Sequence, residues 1–182
     1  LSKKNTLILN KKITCLIIGD GTIGMQNQSI ALAEGMNLNY KLIELSPTWL
    51  PRIFPTMLAG KYVLHLSNKD YEINTENPDI IITCGRRMAG ISVGLKRLAL
   101  KSKNNIINIH IQNPKLSNKY FDYLIVPEHD NLIGKNVITS KGSLHQITYN
   151  SILNSFKNLH PKILKGIGGH IAVIIGGDTK NQ

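Results

Sequence analysis

Apolar runs alternate along the chain with polar turns and amphipathic stretches, in the order strand, turn, helix. The first run, residues 13–18, is almost continuously apolar, which is typical of a strand buried on both faces of a parallel sheet. A glycine-rich turn over residues 19–24 follows directly, and then come four residues at helical spacing: Met25, Ser29, Leu32 and Met36. Because Gly35 is a helix stop signal, the pattern predicts a helix that ends there.

The same alternation continues along the chain. Apolar, β-branched runs predict further strands at residues 40–45, 79–84, 106–111, 123–126, 136–140 and 170–175, and the strand at 136–140 is predicted to lie at a sheet edge. One helix is predicted to begin at Arg86, and another to follow residues 141–145 and end near Asn158. The fold class is therefore α/β, with a Rossmann-like, doubly wound, mainly parallel sheet and helices on both faces.

Three segments do not fit this alternation. Residues 1–12 are polar and basic. Residues 46–55 contain three prolines, which exclude a regular helix through them. Residues 161–169 are typical of a linker.

The turn after the first strand matches the dinucleotide-binding pattern G-x-G-x-x-G through Gly19, Gly21 and Gly24, and Glu44 stands twenty residues past the last glycine. Glycines at such a turn let the backbone approach a ligand, and the helix start offers N–H groups to an anion. Two interpretations stay open at this point. The turn binds a nicotinamide cofactor, or it is a structural turn without a ligand.

The first turn of the helix favours a third interpretation. It consists of three amides, Gln26, Asn27 and Gln28, whereas a dinucleotide fold packs small or apolar residues against the sheet at this place. Amides are costly to bury without partners. We therefore expect these side chains to face a site and to bind a polar ligand.

The net charge of +11 narrows the range of partners. It favours anionic ones, namely nucleotide phosphates, an acidic lipid surface or nucleic acid, although a general bias toward Lys, Asn and Ile explains the charge equally well. Aromatic residues make up only 5% of the chain, so nucleic acid is not expected. The expected partners are a small anionic molecule and, peripherally, an anionic membrane.

The length of the chain and its cysteines limit the class of protein to which it can belong. A chain of 182 residues with 42% hydrophobic content buries a full core, and no apolar run approaches the ~20 residues of a membrane span. Cys15 and Cys84 both lie in predicted buried strands without a C-x-x-C pair. We expect a cytoplasmic, reduced protein with two inert core thiols.

Polar clusters follow several of the predicted strands. Arg86 and Arg87 open a helix, at the positive end of its dipole. A bound phosphate or carboxylate would compensate for this and accept bidentate contacts; the alternative is two solvated arginines. Gln112 and Asn113 follow another strand. Because the carboxyl ends of parallel strands share one edge, we expect these clusters on one rim.

The residues after the strand at 123–126 are candidates for proton transfer. Glu128, His129 and Asp130 supply a general base with an orienting carboxylate, or else they cap a helix or form a loop salt bridge. A metal site is not expected, because adjacent residues do not easily all point at one ion. His145, placed near a predicted helix start, either contacts an anionic ligand or is a surface cap.

Six segments together resemble the mitochondrial-fission "elongated mitochondria" family, whose members are similar to glycosyltransferases of the B type. They appear in family order across nearly the whole chain, at residues 24–28, 84–87, 109–114, 126–130, 142–145 and 175–180. The resemblance implies two Rossmann-like domains that face a cleft, with an acceptor site on the first and nucleotide-sugar binding on the second. Asn113 departs from the family pattern, in which we expect an acid.

The resemblance divides the chain into a Rossmann-like N-terminal domain at residues 1–160, and a linker with the first strand of a truncated second domain at residues 161–182. It implies no cofactor, a nucleotide-sugar or sugar acceptor as ligand, and a chain that is inactive alone because the rest of the second domain is missing. Residues 170–176 are then an apolar strand without its neighbours, which docks on the first sheet or pairs with a second copy.

The predicted site combines these residues. Glu128 or His129 is the general base that deprotonates an acceptor hydroxyl, and Arg86 and Arg87 are anion clamps. The remaining ligand-binding residues are Gly21, Gly24, Gln26, Asn27, Gln28, Gly85, Gln112, Asn113, His145 and Asp178. Two other functions stay open: a non-catalytic binding or scaffold module of the same family, and a nicotinamide-dependent enzyme.

Overall fold

A computed structural model of the chain describes residues 13–45 and 78–158, together with Val173. The predictions made for residues 1–12, the proline-containing segment at 46–55, the linker at 161–169 and the strand at 170–175 lie outside these ranges, apart from Val173. Asp178 also lies outside the described residues.

The described residues form a six-stranded sheet in which every neighbouring pair of strands is parallel. The order across the sheet is β2-β1-β3-β4-β5-β6. The strands are β1 (Thr14–Gly19), β2 (Asn39–Glu44), β3 (Ile80–Cys84), β4 (Ile107–Ile111), β5 (Tyr123–Pro127) and β6 (Val137–Ser140). The helices are α1 (Ile23–Gly35), α2 (Arg86–Lys101) and α3 (Tyr149–Lys157), with single 3₁₀ turns at Asn118–Tyr120 and Glu128–Asp130.

Helices cover both faces of the sheet because the central strands β1 and β3 carry apolar residues on both of their faces. On one face Leu16, Ile18 and Ile81 pack in a cluster with Met88, Ile91 and Leu95 of α2. On the other face Ile17, Ile80 and Ile82 pack with Ala33 of α1 and, partly buried, Ile30 and Leu32. The predicted doubly wound α/β fold is confirmed, and the sheet is entirely parallel in the described residues.

The predicted strands and helix starts agree with the structure to within one or two residues, with one exception. The last described helix begins at Tyr149, after an N-cap at Thr148 that forms a reciprocal capping box with Ser151. We expected it to follow residues 141–145 directly. His145 lies in the irregular segment before this cap, and its contact with an anionic ligand stays a prediction.

A network of hydrogen bonds and one ion pair joins β4 to β5 and α2 at the amino ends of the strands. The Asp122 carboxylate accepts the Asn108 backbone N–H at 2.7 Å and lies 2.7 Å from the Lys96 ammonium. The Asp122 N–H in turn donates to the Asn108 side chain at 2.9 Å, and Lys96 also donates to the Ile106 carbonyl. Asn108 is fully buried in the sheet, and its polar groups are paired, since its side-chain amide N–H also donates to the Tyr120 carbonyl at 3.0 Å.

The chain divides into two compact units, one ending at Gln146 and the other beginning at Ile147. The sheet, α1 and α2 belong to the first unit, and α3 belongs to the second. The domain boundary predicted after residue 160 stays a prediction. Among the helices that the structure describes, none is long and apolar enough to cross a membrane.

Candidate functional site

The strand order creates a crevice between the carboxyl ends of β1 and β3. The chain leaves β1 for β2 on one side, and it returns to β3 on the other side of β1. Ligands of open parallel sheets bind at such a topological switch point. A pocket of about 330 Å³ opens here, and it is lined by Asp20, Thr22, Met25, Cys84, Gly85, Arg86 and Arg87.

Gly85 makes the turn from β3 into α2. Its φ of +83° lies in the left-handed region that favours glycine. A Cβ on this residue would also lie 3.3 Å from the Met25 sulfur. The Cys84 thiol lies 3.5 Å from the same sulfur. The Met25 thioether and the Cys84 thiol thus add apolar groups to a pocket lining that also carries charged groups.

Arg86 and Arg87 occupy the first turn of α2, as predicted, and both are exposed. No side chain caps this helix, and its first turn contains no acidic residue. Arg87 Nη1 lies 3.5 Å from Asp20 Oδ2, which follows β1. In the described part of the chain, Arg86 has no carboxylate partner. The protein itself thus offsets one of the two charges that oppose the dipole of α2.

The Asp20 carboxylate is held in place at both of its oxygens. Oδ1 accepts the Thr22 backbone N–H at 3.1 Å, and Oδ2 faces Arg87. Burial raises the pKa of Asp20, but the hydrogen bonds from Thr22 and the charge of Arg87 outweigh burial and leave this pKa below its ordinary value. Asp20 is therefore an anion at neutral pH.

The Cys84 thiol is not a nucleophile in this setting. Burial, together with the nearby charge of Asp20, raises its pKa to about 12. Burial also raises the pKa of Cys15 to about 12. Both cysteines are free and buried, as the sequence predicts, and their thiols stay protonated at neutral pH.

The three amides of α1 do not share one environment. Gln26 and Gln28 are buried and Asn27 is exposed. Gln26 donates to Glu44 Oε1 at 2.8 Å, so the end of β2 supplies the partner that a buried amide needs. The other Glu44 oxygen would lie 3.8 Å from a Cβ on Gly21.

None of these amides lines the pocket, and neither do Gly21 and Gly24. Their predicted ligand contacts stay predictions. The dinucleotide interpretation would use the Glu44 carboxylate for a ribose hydroxyl, and here one of its oxygens already accepts from Gln26.

The remaining predicted site residues in the sheet lie beyond the ends of β4 and β5, on the rim that carries the pocket. Gln112 has a left-handed φ of 74°. Asn113 accepts the Lys115 N–H at 3.0 Å through its side-chain oxygen. Glu128 and His129 are exposed in the 3₁₀ turn after β5, and His129 Nε2 lies 3.9 Å from Asp130.

The structure thus brings three predicted residues, Gly85, Arg86 and Arg87, into the pocket and adds Asp20, Thr22, Met25 and Cys84. Asp20 stands inside the glycine pattern at a position that the pattern leaves free, and Met25 has the spacing of a core residue. The position of Asp20 directly after a buried strand is the one sequence feature that indicates a place at the site. Among the described residues, no group of three or more His, Cys, Asp or Glu side chains is placed to hold a metal ion.

Comparison with known proteins identifies the family of the chain. The family model described as Mitochondrial fission ELM1 matches residues 23–182. The chain belongs to the mitochondrial fission ELM1 family. This confirms the resemblance that the six segments indicate. The matched region includes Met25, Gly85, Arg86 and Arg87 and begins after Asp20 and Thr22.

Two curated relatives of this ELM1-family chain are similar over part of their length. An uncharacterized protein of Rickettsia prowazekii (strain Madrid E) is 34% identical over 116 residues, which cover 63% of this chain and 31% of the relative. The Mitochondrial fission protein ELM1 of Arabidopsis thaliana is 28% identical over 144 residues, covering 66% of this chain and 33% of the relative. The chain spans about a third of the length of these relatives. No solved structure matches.

Proposed function

We propose that the pocket between β1 and β3 binds the phosphate-bearing part of a nucleotide-sugar or of a phosphorylated sugar. The chain then acts as the first Rossmann-like domain of a protein similar to B-type glycosyltransferases. The observation that supports this most is the position of two arginines on the first turn of a helix that opens from the topological switch point. A pocket of about 330 Å³ is of the size used for small ligands.

The chemistry of the pocket suits a phosphate ester. Guanidinium groups bind phosphate through two parallel hydrogen bonds. The first N–H groups of a helix have no acceptor within the helix and point toward an anion placed at its start. Arg86 supplies a cation that no described carboxylate neutralises, and the thioether of Met25 offers an apolar surface to a sugar ring or a base.

Glu128 or His129 is the proposed general base for the acceptor hydroxyl. Both follow β5, which lies two strands away from β3, so they are roughly 10 Å from the pocket at the usual strand spacing. That separation leaves room for a sugar between the phosphate and the base. In this proposal a second domain closes over the rim for transfer, and residues 1–182 alone bind the ligand without turnover.

A non-catalytic binding module of the fission family is the second candidate, and the ionisable groups of the pocket favour it. They are two guanidiniums, a carboxylate with a lowered pKa and a thiol with a pKa raised to about 12. General acid–base catalysis is most efficient with a pKa near the working pH. The lining of the pocket therefore suits recognition better than proton transfer.

Calorimetric titration of the full chain with UDP-glucose tests ligand binding. Replacing both Arg86 and Arg87 by Ala removes the proposed clamp, and we expect UDP-glucose binding to weaken by at least about tenfold because two charge-assisted contacts are lost. The matched control is Arg97→Ala, which changes an exposed arginine of the same helix that stacks on Tyr120 instead. Equal binding by the double variant and the wild type would contradict the proposal.

Two further measurements separate the candidate functions. NAD in place of UDP-glucose tests the nicotinamide interpretation, which requires NAD to bind more tightly. A turnover assay on a longer protein that contains a second domain distinguishes the transferase from the binding module. Only a transferase shows turnover, and that turnover requires Glu128 or His129 as the general base.

A further inference from the structure

Asp20 is an unusual residue to find in a pocket that is suited to an anion. Its side chain is only 10% exposed, whereas that of Arg87 is 60% exposed. The hydrogen bond from Thr22 and the ion pair with Arg87 fix the carboxylate beside the first turn of α2. The negative charge is therefore a permanent part of the pocket.

This carboxylate changes what the two arginines are able to bind. An incoming phosphate meets a like charge at Asp20, and it has to share Arg87 with that carboxylate or displace it. Arg86 alone is without a described carboxylate partner. The pocket therefore disfavours the binding of a small dianion that makes no other contact.

The same carboxylate attracts a ligand that carries hydroxyl groups. A carboxylate accepts up to about four hydrogen bonds, and the two contacts of Asp20, one at each oxygen, leave part of this capacity for other donors. Hydroxyls of a sugar are donors of the required kind. The phosphate of a sugar phosphate then faces Arg86 while its hydroxyls face Asp20.

We propose that Asp20 is the residue that determines the specificity of the pocket, so that the pocket selects sugar phosphates, which carry both hydroxyls and phosphate, over inorganic phosphate. This inference rests on the proposed function for the site. It adds the basis of selection, which neither the glycine pattern nor the family match supplies, since the matched region begins at residue 23.

The test compares two probes, inorganic phosphate and glucose 1-phosphate, by calorimetric titration of the full chain. In Asp20→Asn the side chain keeps an oxygen for the Thr22 N–H but loses its charge. We expect phosphate to bind about tenfold more tightly, the size of effect for removing a unit charge roughly 5 Å away in a partly solvated pocket. The affinity for glucose 1-phosphate should rise less, because its hydroxyls lose the carboxylate that accepts their hydrogen bonds. The preference of the pocket for glucose 1-phosphate over phosphate therefore falls.

Two additional variants keep the result interpretable. Asp20→Ser also removes the charge and keeps a hydroxyl for Thr22, so it should show the same fall in preference if Asp20→Asn does not fold. Glu34→Gln removes the charge of an exposed carboxylate near the end of α1, outside the pocket lining, and the preference for glucose 1-phosphate should stay at the wild-type value.

An unchanged ratio of the two affinities in both Asp20 variants overturns the inference. A fall in that ratio for Glu34→Gln as large as for Asp20→Asn also overturns it, because the effect would then be a general one of charge. Failure of the proposed function is recognised differently, as UDP-glucose binding by the wild type that does not depend on Arg86 and Arg87.

Discussion

The Thr83 hydroxyl lies 2.8 Å from Nδ1 of His110, and both side chains are fully buried between the sheet and α2. The two residues are register partners on β3 and β4. Among the residues that the structure describes, Nε2 of His110 has no hydrogen-bond partner. Burial lowers the pKa of His110 to about 3, so the imidazole is neutral in the folded protein at every ordinary pH.

His110 makes the fold sensitive to acid. Its pKa is about 3 in the folded chain and near 6.5 in an unfolded one. Below pH 6.5 the unfolded state takes up a proton that the folded state does not, so the free energy of unfolding falls as the pH falls from 6.5 toward 3. We expect the protein to be about 2 kcal/mol less stable at pH 5 than at pH 7.5.

Chemical denaturation across this pH range measures the effect, and His110→Gln is the control. Glutamine keeps a polar group for Thr83 but does not titrate, so the decline between pH 6.5 and 5 should be much smaller in this variant. The same acid decline in His110→Gln and the wild type would show that other groups cause it. Asp20 changes the free energy of unfolding only at lower pH, because its pKa in the folded protein is below its ordinary value.

Thr83→Val tests the hydrogen bond itself. Valine keeps the shape of threonine but leaves both nitrogens of a buried imidazole without a described partner, so we expect a loss of about 1–3 kcal/mol in the free energy of unfolding. The same substitution at Thr139, an exposed residue of β6, should change stability by less than about 0.5 kcal/mol. Equal effects at the two positions would mean that the contact with His110 adds no stability.

Two glycines of the predicted site should respond in opposite ways to alanine. Gly85 has a φ of +83°, and a Cβ there would meet the Met25 sulfur at 3.3 Å. We expect Gly85→Ala to destabilise the fold by about 1–3 kcal/mol. A Cβ on Gly24 meets nothing within 4 Å, and because Gly24 lies in α1, Gly24→Ala should be neutral or stabilise by up to about 1 kcal/mol. Thermal denaturation of the pair checks both signs.

Arg87→Ala should raise the pKa of Asp20. Burial raises this pKa already, and the variant removes one of the two favourable influences that outweigh burial, leaving only the hydrogen bonds from Thr22. Carbon-13 NMR of the aspartate carboxyls measures the titration, with Arg97→Ala as the control. An unchanged Asp20 titration would show that the 3.5 Å contact with Arg87 carries no electrostatic effect in solution.

The sequence predicted the fold well because the strands are buried on both faces. Runs such as residues 80–84, in which every residue is buried, are almost entirely apolar, and that pattern is visible without knowledge of their neighbours. Arg86 and Arg87 were found for a similar reason, since a helix start is a local feature. The start of α3 was missed although Thr148 and Ser151 provide a local capping signal.

The rest of the site depends on contacts between segments that are distant in the sequence. Gln26 is buried against Glu44, which is 18 residues away, so the sequence could not show that the amide has a partner. The ion pair between Asp20 and Arg87 spans 67 residues. Only the order of the strands brings β1 beside β3, and composition and periodicity do not encode that order.

The pairing of β1 with β3 also has a consequence during synthesis. Thr14 and Asp79, which hydrogen-bond where the two strands begin, are 65 residues apart. A ribosome adds roughly 5–20 residues each second, so on the order of 3–13 s separates the appearance of one strand from that of the other. During this interval β1 can pair with β2 on one side only, and the unpaired N–H and C=O groups of its other edge are a template for any strand nearby. The nascent chain is therefore exposed to mispairing until β3 has been made, and a chaperone bound to the emerging chain would help it during this period.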